Sequence, residues 1–299
     1  MKPMLAVPST GASNRHAIRL EALASTHQWI VDEKLDGIRC MFVADGPSGN
    51  RLINRTGTDI TERFPEVARA RIPRVTLDGE IVADDGSFLT VASRDKQTGD
   101  FARAARAHPC HLVAFDLIRS GGESLERIPF KTRRFFLTKV IGKRRRRVRV
   151  VRWSEDMLAF AQQIRSEGGE GVIAKHRDSL YLPGKRSEHW IKFKNTRSLT
   201  AVVTGYTRGK GSRELGALKL ALVNGEKIVA IGHVGTGFTE RQADEFKIRL
   251  DAGQPFMAEI EALNRTPSGE LRFPVFKGER TDLTLLDAAF EQLETLPTY

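Results

Sequence analysis

Short β-forming runs are interleaved with helical stretches in no regular rhythm along this chain, and that irregularity narrows the fold more than any other feature. Such runs occur at Trp29-Ile30-Val31, Cys40-Met41-Phe42-Val43, residues 51–55, 75–82, 112–118, 148–153, 171–175 and 190–194. Helical spacing falls between them at 14–27, 61–68, 131–140 and after Ser154, which is read as an N-cap with Glu155 and Asp156 in the first turn. A doubly wound parallel sheet needs strict strand–helix alternation, so the expectation is an α+β fold with antiparallel sheets. Residues 75–82 read as a strand pair bent at Gly79, and 84–109 as a long loop with one short helix. The run 112–118 is apolar apart from Asp116, which suggests burial on both faces.

The texture changes near residue 198. Strand-like runs at 199–205, 217–223, 227–234, 256–260 and 271–274 surround one helix at 240–251, with an Asn224-Gly225 hairpin turn between the second and third. Five strands and a helix in a hundred residues fit a small Greek-key barrel of the OB type. The expected division is therefore a first domain of residues 1–198 and a second of 199–299, with the boundary inside Asn195-Thr196-Arg197-Ser198.

Lys34-Leu35-Asp36-Gly37-Ile38-Arg39-Cys40 lies between two of the β-forming runs and reads as a strand, a tight turn and a return strand. That geometry would hold Lys34 at a strand end, and Gly37 would let backbone approach a ligand closely. A lysine there can act as a nucleophile only as the free amine, which costs about 4.6 kcal/mol at pH 7 from an ordinary lysine pKa. Cations, a metal or burial would have to supply that shift. Lys192 and Lys194, two apart on one strand, project to the same face and could grip phosphate oxygens while repelling a charge on Lys34. Glu80 and Glu170, each beside a glycine, suit Mg²⁺, which takes one or two protein oxygens and keeps its water and phosphate ligands.

Composition limits the partner. The formal net charge is +11, which favours a polyanion, nucleic acid ahead of an anionic membrane surface. The run Lys143-Arg144-Arg145-Arg146-Arg147 would most simply meet duplex phosphates. Two widely separated cysteines, Cys40 and Cys110, read as reduced thiols in a cytoplasmic protein. His108-Pro109-Cys110-His111 lacks a second ligand cluster, so a zinc site is discounted. Residues 182–187 end like a phosphate-binding Walker loop, but Ser179 stands where that loop needs its first glycine.

In order along the chain, Glu33-Lys34-Leu35-Asp36-Gly37-Ile38-Arg39, Leu77-Asp78-Gly79-Glu80, Phe115-Asp116-Leu117, Glu170-Gly171-Val172-Ile173-Ala174-Lys175 and Trp190-Ile191-Lys192-Phe193-Lys194 resemble the motifs of covalent nucleotidyltransferases. The nearest likeness is to ATP-dependent DNA ligases. Tyr181-Leu182-Pro183-Gly184-Lys185-Arg186-Ser187, Val234-Gly235-Thr236-Gly237-Phe238 and residues 271–276 look most like the compact bacterial end-joining type. The likeness runs from about residue 2 to 290. It implies an ATP-grasp-like nucleotidyltransferase domain followed by an OB-fold barrel, with ATP and Mg²⁺ as cofactors and Mn²⁺ able to substitute. Lys34 would take up AMP. Asp32, Glu33, Asp36, Arg39, Arg55 and Phe115 would bind the nucleotide, with Phe115 stacked on adenine. Glu80 and Glu170 would serve ribose and metal, and Lys192 and Lys194 would hold the α-phosphate.

The implied substrate is nicked duplex DNA, sealed through a lysyl-AMP and a DNA-adenylate by a monomer that works with end-joining or repair proteins and not at a membrane. The implied role is in DNA repair, replication or recombination. One motif departs from the family. Its final Arg-x-Asp-Lys is here Arg280-Thr281-Asp282-Leu283, so Arg280 is retained as a catalytic candidate and the lysine is lost. The competing readings are an RNA ligase or mRNA-capping guanylyltransferase, against which residues 271–282 speak, and a non-catalytic DNA-end binding protein. Retention of Lys34, both glutamates and both strand lysines argues against the last.

Overall fold

The structure is a computed structural model that describes residues 2–9, 18–45, 49–142, 147–209, 211 and 213–298. Two units separate between Lys194 and Asn195. No helix among the described residues is long and apolar enough to cross a membrane.

The first unit holds two mainly antiparallel sheets. One has the order β1-β11-β10-β2-β9, formed by β1 (Leu5–Pro8), β2 (Trp29–Glu33), β9 (Trp153–Ser154), β10 (Gly171–His176) and β11 (Arg186–Lys194). The other has the order β4-β3-β5-β6-β7, formed by β3 (Ile38–Ala44), β4 (Asn50–Asn54), β5 (Val75–Ala83), β6 (Cys110–Ser120) and β7 (Glu123–Ser124), with β8 (Val148–Val150) alongside β6. Period-two alternation makes each sheet two-faced. On β3, Cys40, Phe42 and Ala44 enter a core with Phe64, Val67, Val91 and Leu137. Met41 instead joins Val113, Phe115 and Ile118 of β6, Trp190 of β11, Met4 and Tyr181 in the core between the sheets. The far side of the first sheet, Val31, Val172 and Ala174, is covered by Met157, Phe160 and Ile164 of helix Met157–Ser166.

This arrangement corrects several sequence expectations. β2 and β3 do not pair as a hairpin. They belong to different sheets, and residues 34–37 cross from one to the other. A Cβ on Gly37 would lie 2.2 Å from the Ile81 carbonyl oxygen, so the glycine admits the backbone of β5 rather than a ligand. Residues 75–83 form one strand, because both faces are buried along its length. Residues 148–154 divide between the two sheets. The stretch 84–109 contains two helices, Phe88–Lys96 and Phe101–Ala107, capped by Ser87 and Asp100. Asp156, not Ser154, caps the helix that follows it, accepting from the Ala159 N–H, so neither acid lies inside the first turn. Among the described residues the early helix spans Leu20–Ala24, with Arg19 extended before it; positions 14–17 of the expected helix lie outside the described residues. So do Lys143 to Arg146 of the basic run.

The second unit is a five-stranded antiparallel sheet of order β14-β13-β12-β15-β18, from β12 (Arg197–Arg208), β13 (Leu215–Asn224), β14 (Lys227–Val234), β15 (Phe256–Ala262) and β18 (Val275–Glu279). A small ribbon pairs β16 (Asn264–Arg265) with β17 (Leu271–Arg272). The expected strand 271–274 stops early because Phe273 takes a positive φ of 51°, which no strand continues through. Helix Glu240–Asp251 begins at a Thr239–Gln242 capping box and buries Phe246 against Phe256 and Phe276.

Candidate active site

The segment 34–37 crosses between sheets beside an open cavity of about 230 Å³ in the first unit. Lys34 is fixed at both ends of its residue. Its backbone N–H donates to the Gly171 carbonyl at 2.9 Å, and its Nζ donates to Glu170 Oε2 at 2.6 Å. Gly171 has φ of 138°, and a Cβ there would lie 2.0 Å from the Phe193 carbonyl oxygen. Only glycine brings β10 this close to β11, and that approach places Glu170 among three lysines. Lys194 Nζ lies 3.4 Å from Glu170 Oε1. Burial first, then Lys194, Lys34 and Arg186, lower the pKa of Lys192. Lys34 and Lys194 thus repel the charge on Lys192, while the Lys34 amine itself donates to the Glu170 carboxylate.

Phe115 reaches the cavity through an irregularity. Asp78 of β5 pairs with Asp116 and Gly79 with Ala114, so Phe115 is the extra residue of a bulge in β6. A bulge re-aims one side chain without moving its strand. Arg39 lies over the Phe115 ring at 4.4 Å and grips Asp78 with two hydrogen bonds of 2.7 Å. Burial, then Asp78, shape the arginine's titration, and the net effect keeps it charged. Glu80 lines the same cavity. Burial chiefly raises its pKa to about 7, with Glu170 and Asp78 adding to the rise against Arg39 and Lys34.

Of the expected nucleotide-binding residues, Asp32, Glu33, Lys34, Arg39, Arg55, Glu80, Phe115 and Lys192 line the cavity. Glu170 and Lys194 adjoin it through Lys34. Asp36 is not in the lining. The Asp32 carboxylate is not available to a ligand, because it is buried between Arg134 and Lys175, with Lys175 Nζ at 2.7 Å. Arg280 sits in the second unit, where it forms a bidentate pair with Asp282 at 2.9 and 2.7 Å. Sequence reasoning gave no role to Ile173, Lys175, Arg186 or Trp190, all of which line the cavity. Alternation on β10 was a usable signal for two of them, since Val172 and Ala174 face the opposite core.

Glu80 yields a stability prediction. An unfolded glutamate ionises from about 4.5, whereas the folded carboxyl holds its proton up to about 7. Stability should fall as pH rises across that window and stay low above it. Glu80→Gln removes the cost, and solvent in the cavity trims the full conversion. The variant should gain roughly 1–3 kcal/mol at pH 8 and little at pH 4 in urea unfolding. Equal gains at both pH values would contradict the assignment.

A family model described as the ATP dependent DNA ligase domain matches residues 3–194. The chain is 30% identical over 293 residues to the multifunctional non-homologous end joining protein LigD of Mycolicibacterium smegmatis, covering 88% of this chain and 37% of that protein. It is 31% identical over 307 residues to a DNA ligase of Methanosphaerula palustris, covering 92% and 54%. The chain thus spans about a third to a half of the length of these curated relatives. Among solved structures, the ligase domain of M. tuberculosis LigD aligns over 97% of this chain and 98% of that one, at 26% identity and a TM-score of 0.52.

Proposed function

The chain belongs to the ATP-dependent DNA ligase family, and from that membership we propose that it seals 3′-hydroxyl/5′-phosphate nicks in duplex DNA using ATP. The observation that carries this reading is Lys34 held 2.6 Å from Glu170 at the mouth of a cavity walled by Phe115, Arg39 and Lys192. Lys34 Nζ attacks the α-phosphorus of ATP, a P–N bond forms, and pyrophosphate leaves. Glu170 Oε2 is the acceptor nearest the proton that the amine must lose. Lys192 and Lys194 counter the charge on the α-phosphate, which need only be positioned for the transfer. The nick's 5′-phosphate then takes AMP from Lys34, and the 3′-hydroxyl displaces AMP to close the strand.

Glu170 helps to raise the pKa of Glu80, and two carboxylates this near fit a divalent cation, which Glu80 and Glu170 would hold. Bound there, Mg²⁺, or Mn²⁺ in its place, would neutralise phosphate charge. The five-stranded second unit supports an OB-type barrel, and Arg280 on it is retained as a catalytic candidate from the family likeness. The +11 net charge supports a duplex DNA partner. Incubation with α-labelled ATP tests the first step, and sealing of nicked DNA against nicked RNA tests the rest. Absence of covalent label on the intact protein would overturn the proposal.

Leu283 replaces the last-motif lysine and packs on the core of the second unit. Leu283→Lys is expected to speed single-turnover self-adenylation roughly tenfold. Lost packing should lower stability by about 1 kcal/mol. An unchanged rate would show that the missing lysine is not limiting.

A further inference from the structure

We infer that Tyr181 is a positioning residue for the nucleotide cavity, its hydroxyl joining the N-terminal segment to the Arg39–Phe115 wall. The inference rests on the nucleotide-binding reading of that cavity. Tyr181 is almost fully buried between the two sheets of the first unit. Its hydroxyl accepts from the Met4 N–H at 3.1 Å and donates to Asp78 Oδ2 at 2.7 Å. Arg39 closes the circuit. Nη2 donates to the Met4 carbonyl at 3.0 Å and to the same Asp78 oxygen, while Nε takes the other.

One hydroxyl thus ties three separate parts of the fold: the segment before β1, the middle of β5, and the arginine of β3. Each has a member or a neighbour on the cavity. Leu5 and Ala6 follow Met4 into the lining, and Arg39 and Phe115 form the facing wall. Among the described strands β1 lies at the sheet edge beside β11, with a register break between Ala6 and Val7. Tyr181 and Arg39 meet the N–H and carbonyl of Met4 itself, while Gly184 and Lys185 hold the neighbouring Lys2 and Leu5. Asp78 is fully buried and accepts from both partners, so losing the phenol removes one of three donors on a carboxylate that cannot reach water. Burial and Asp78 push the phenol far above neutral, so it remains a donor throughout the working pH range.

Tyr181→Phe keeps the ring and its packing while deleting both hydrogen bonds. Self-adenylation should show KM for ATP raised about five- to tenfold, the equivalent of one hydrogen bond. The rate at saturating ATP should stay within about threefold, because Tyr181 touches no reacting atom. Amide exchange at Leu5 and Ala6 should quicken. Val67→Ala, which thins the core on the other face of the β3–β6 sheet, controls for lost stability and should leave KM unchanged. An unaltered KM in Tyr181→Phe, an equal rise in Val67→Ala, or a Tyr181→Phe chain that fails to fold would each overturn the positioning role. Wild-type protein that takes no label from ATP would instead defeat the underlying reading of the cavity.

Discussion

Replacing Lys34 with alanine should abolish covalent AMP on the protein and lower nick sealing at least about a thousandfold. The size of the effect follows from its role: the amine is the atom that carries AMP, so no neighbouring side chain substitutes for it. Lys34→Arg should fail equally, since a guanidinium keeps its proton and cannot attack phosphorus. Folding should be nearly unaffected, because Glu170 retains Lys194 at 3.4 Å when Lys34 is removed. A sharper outcome concerns DNA that already bears AMP on its 5′-phosphate. There the phosphorus is activated without the enzyme's amine, and the alanine variant should still close the strand. The decisive measurement is mass spectrometry after ATP and a divalent cation, beside gel-resolved sealing of ordinary and pre-adenylated nicks. Retained labelling of Lys34→Ala, or its sealing of ordinary nicks at the wild-type rate, would remove Lys34 from the chemistry.

How much of this site could be read from sequence depends on whether contacts were local or crossed between sheets. Lys192 and Lys194 were legible because strand geometry alone puts alternate residues on one face. The helix at Glu240–Asp251 was legible because Thr239 and Gln242 mark its start and the spacing does the rest. The segment 34–37 was misread as a hairpin because the same β-forming pattern serves a turn within one sheet and a crossing between two; only the distant partners β10 and β5 decide. Phe115 reaches the cavity through a bulge whose register no single strand encodes. The Tyr181–Asp78–Arg39 circuit brings Tyr181 to residues more than a hundred positions before it. Asp32, which the likeness implied as a nucleotide-binding residue, lines the cavity, but its carboxylate is engaged within the fold. Alternation along β2 turns it inward, toward Lys175 and Arg134, which lie far off in the chain.

That inward orientation makes Asp32→Asn the other substitution of large expected effect, and its effect is on folding. The carboxylate is buried with Lys175 and Arg134, both also buried. Lys175 is ringed by Phe115, Phe130 and Trp190 at 4.5, 4.9 and 4.0 Å, and those rings attract its charge without neutralising it. Removing the carboxylate that pairs with both leaves two buried cations poorly compensated, a loss of about 3–5 kcal/mol. In a unit of this size the melting temperature should drop by about 8–15 °C. The loss should also depend on pH. Burial outweighs the pull of Asp32 and lowers the Lys175 pKa to about 8. Between that value and the ordinary lysine range the unfolded chain binds more protons than the folded one, so wild-type stability rises with pH there. Without Asp32 the folded pKa falls further and the same rise begins below pH 8. The gap between variant and wild type should therefore narrow as pH climbs from 6 to 8, a trend that urea unfolding at several pH values would reveal. Arg134 cannot shed its proton, so the gap should not close. A variant as stable as wild type at pH 6 would show that Asp32 does not hold the two cations, and would return its carboxylate to the nucleotide.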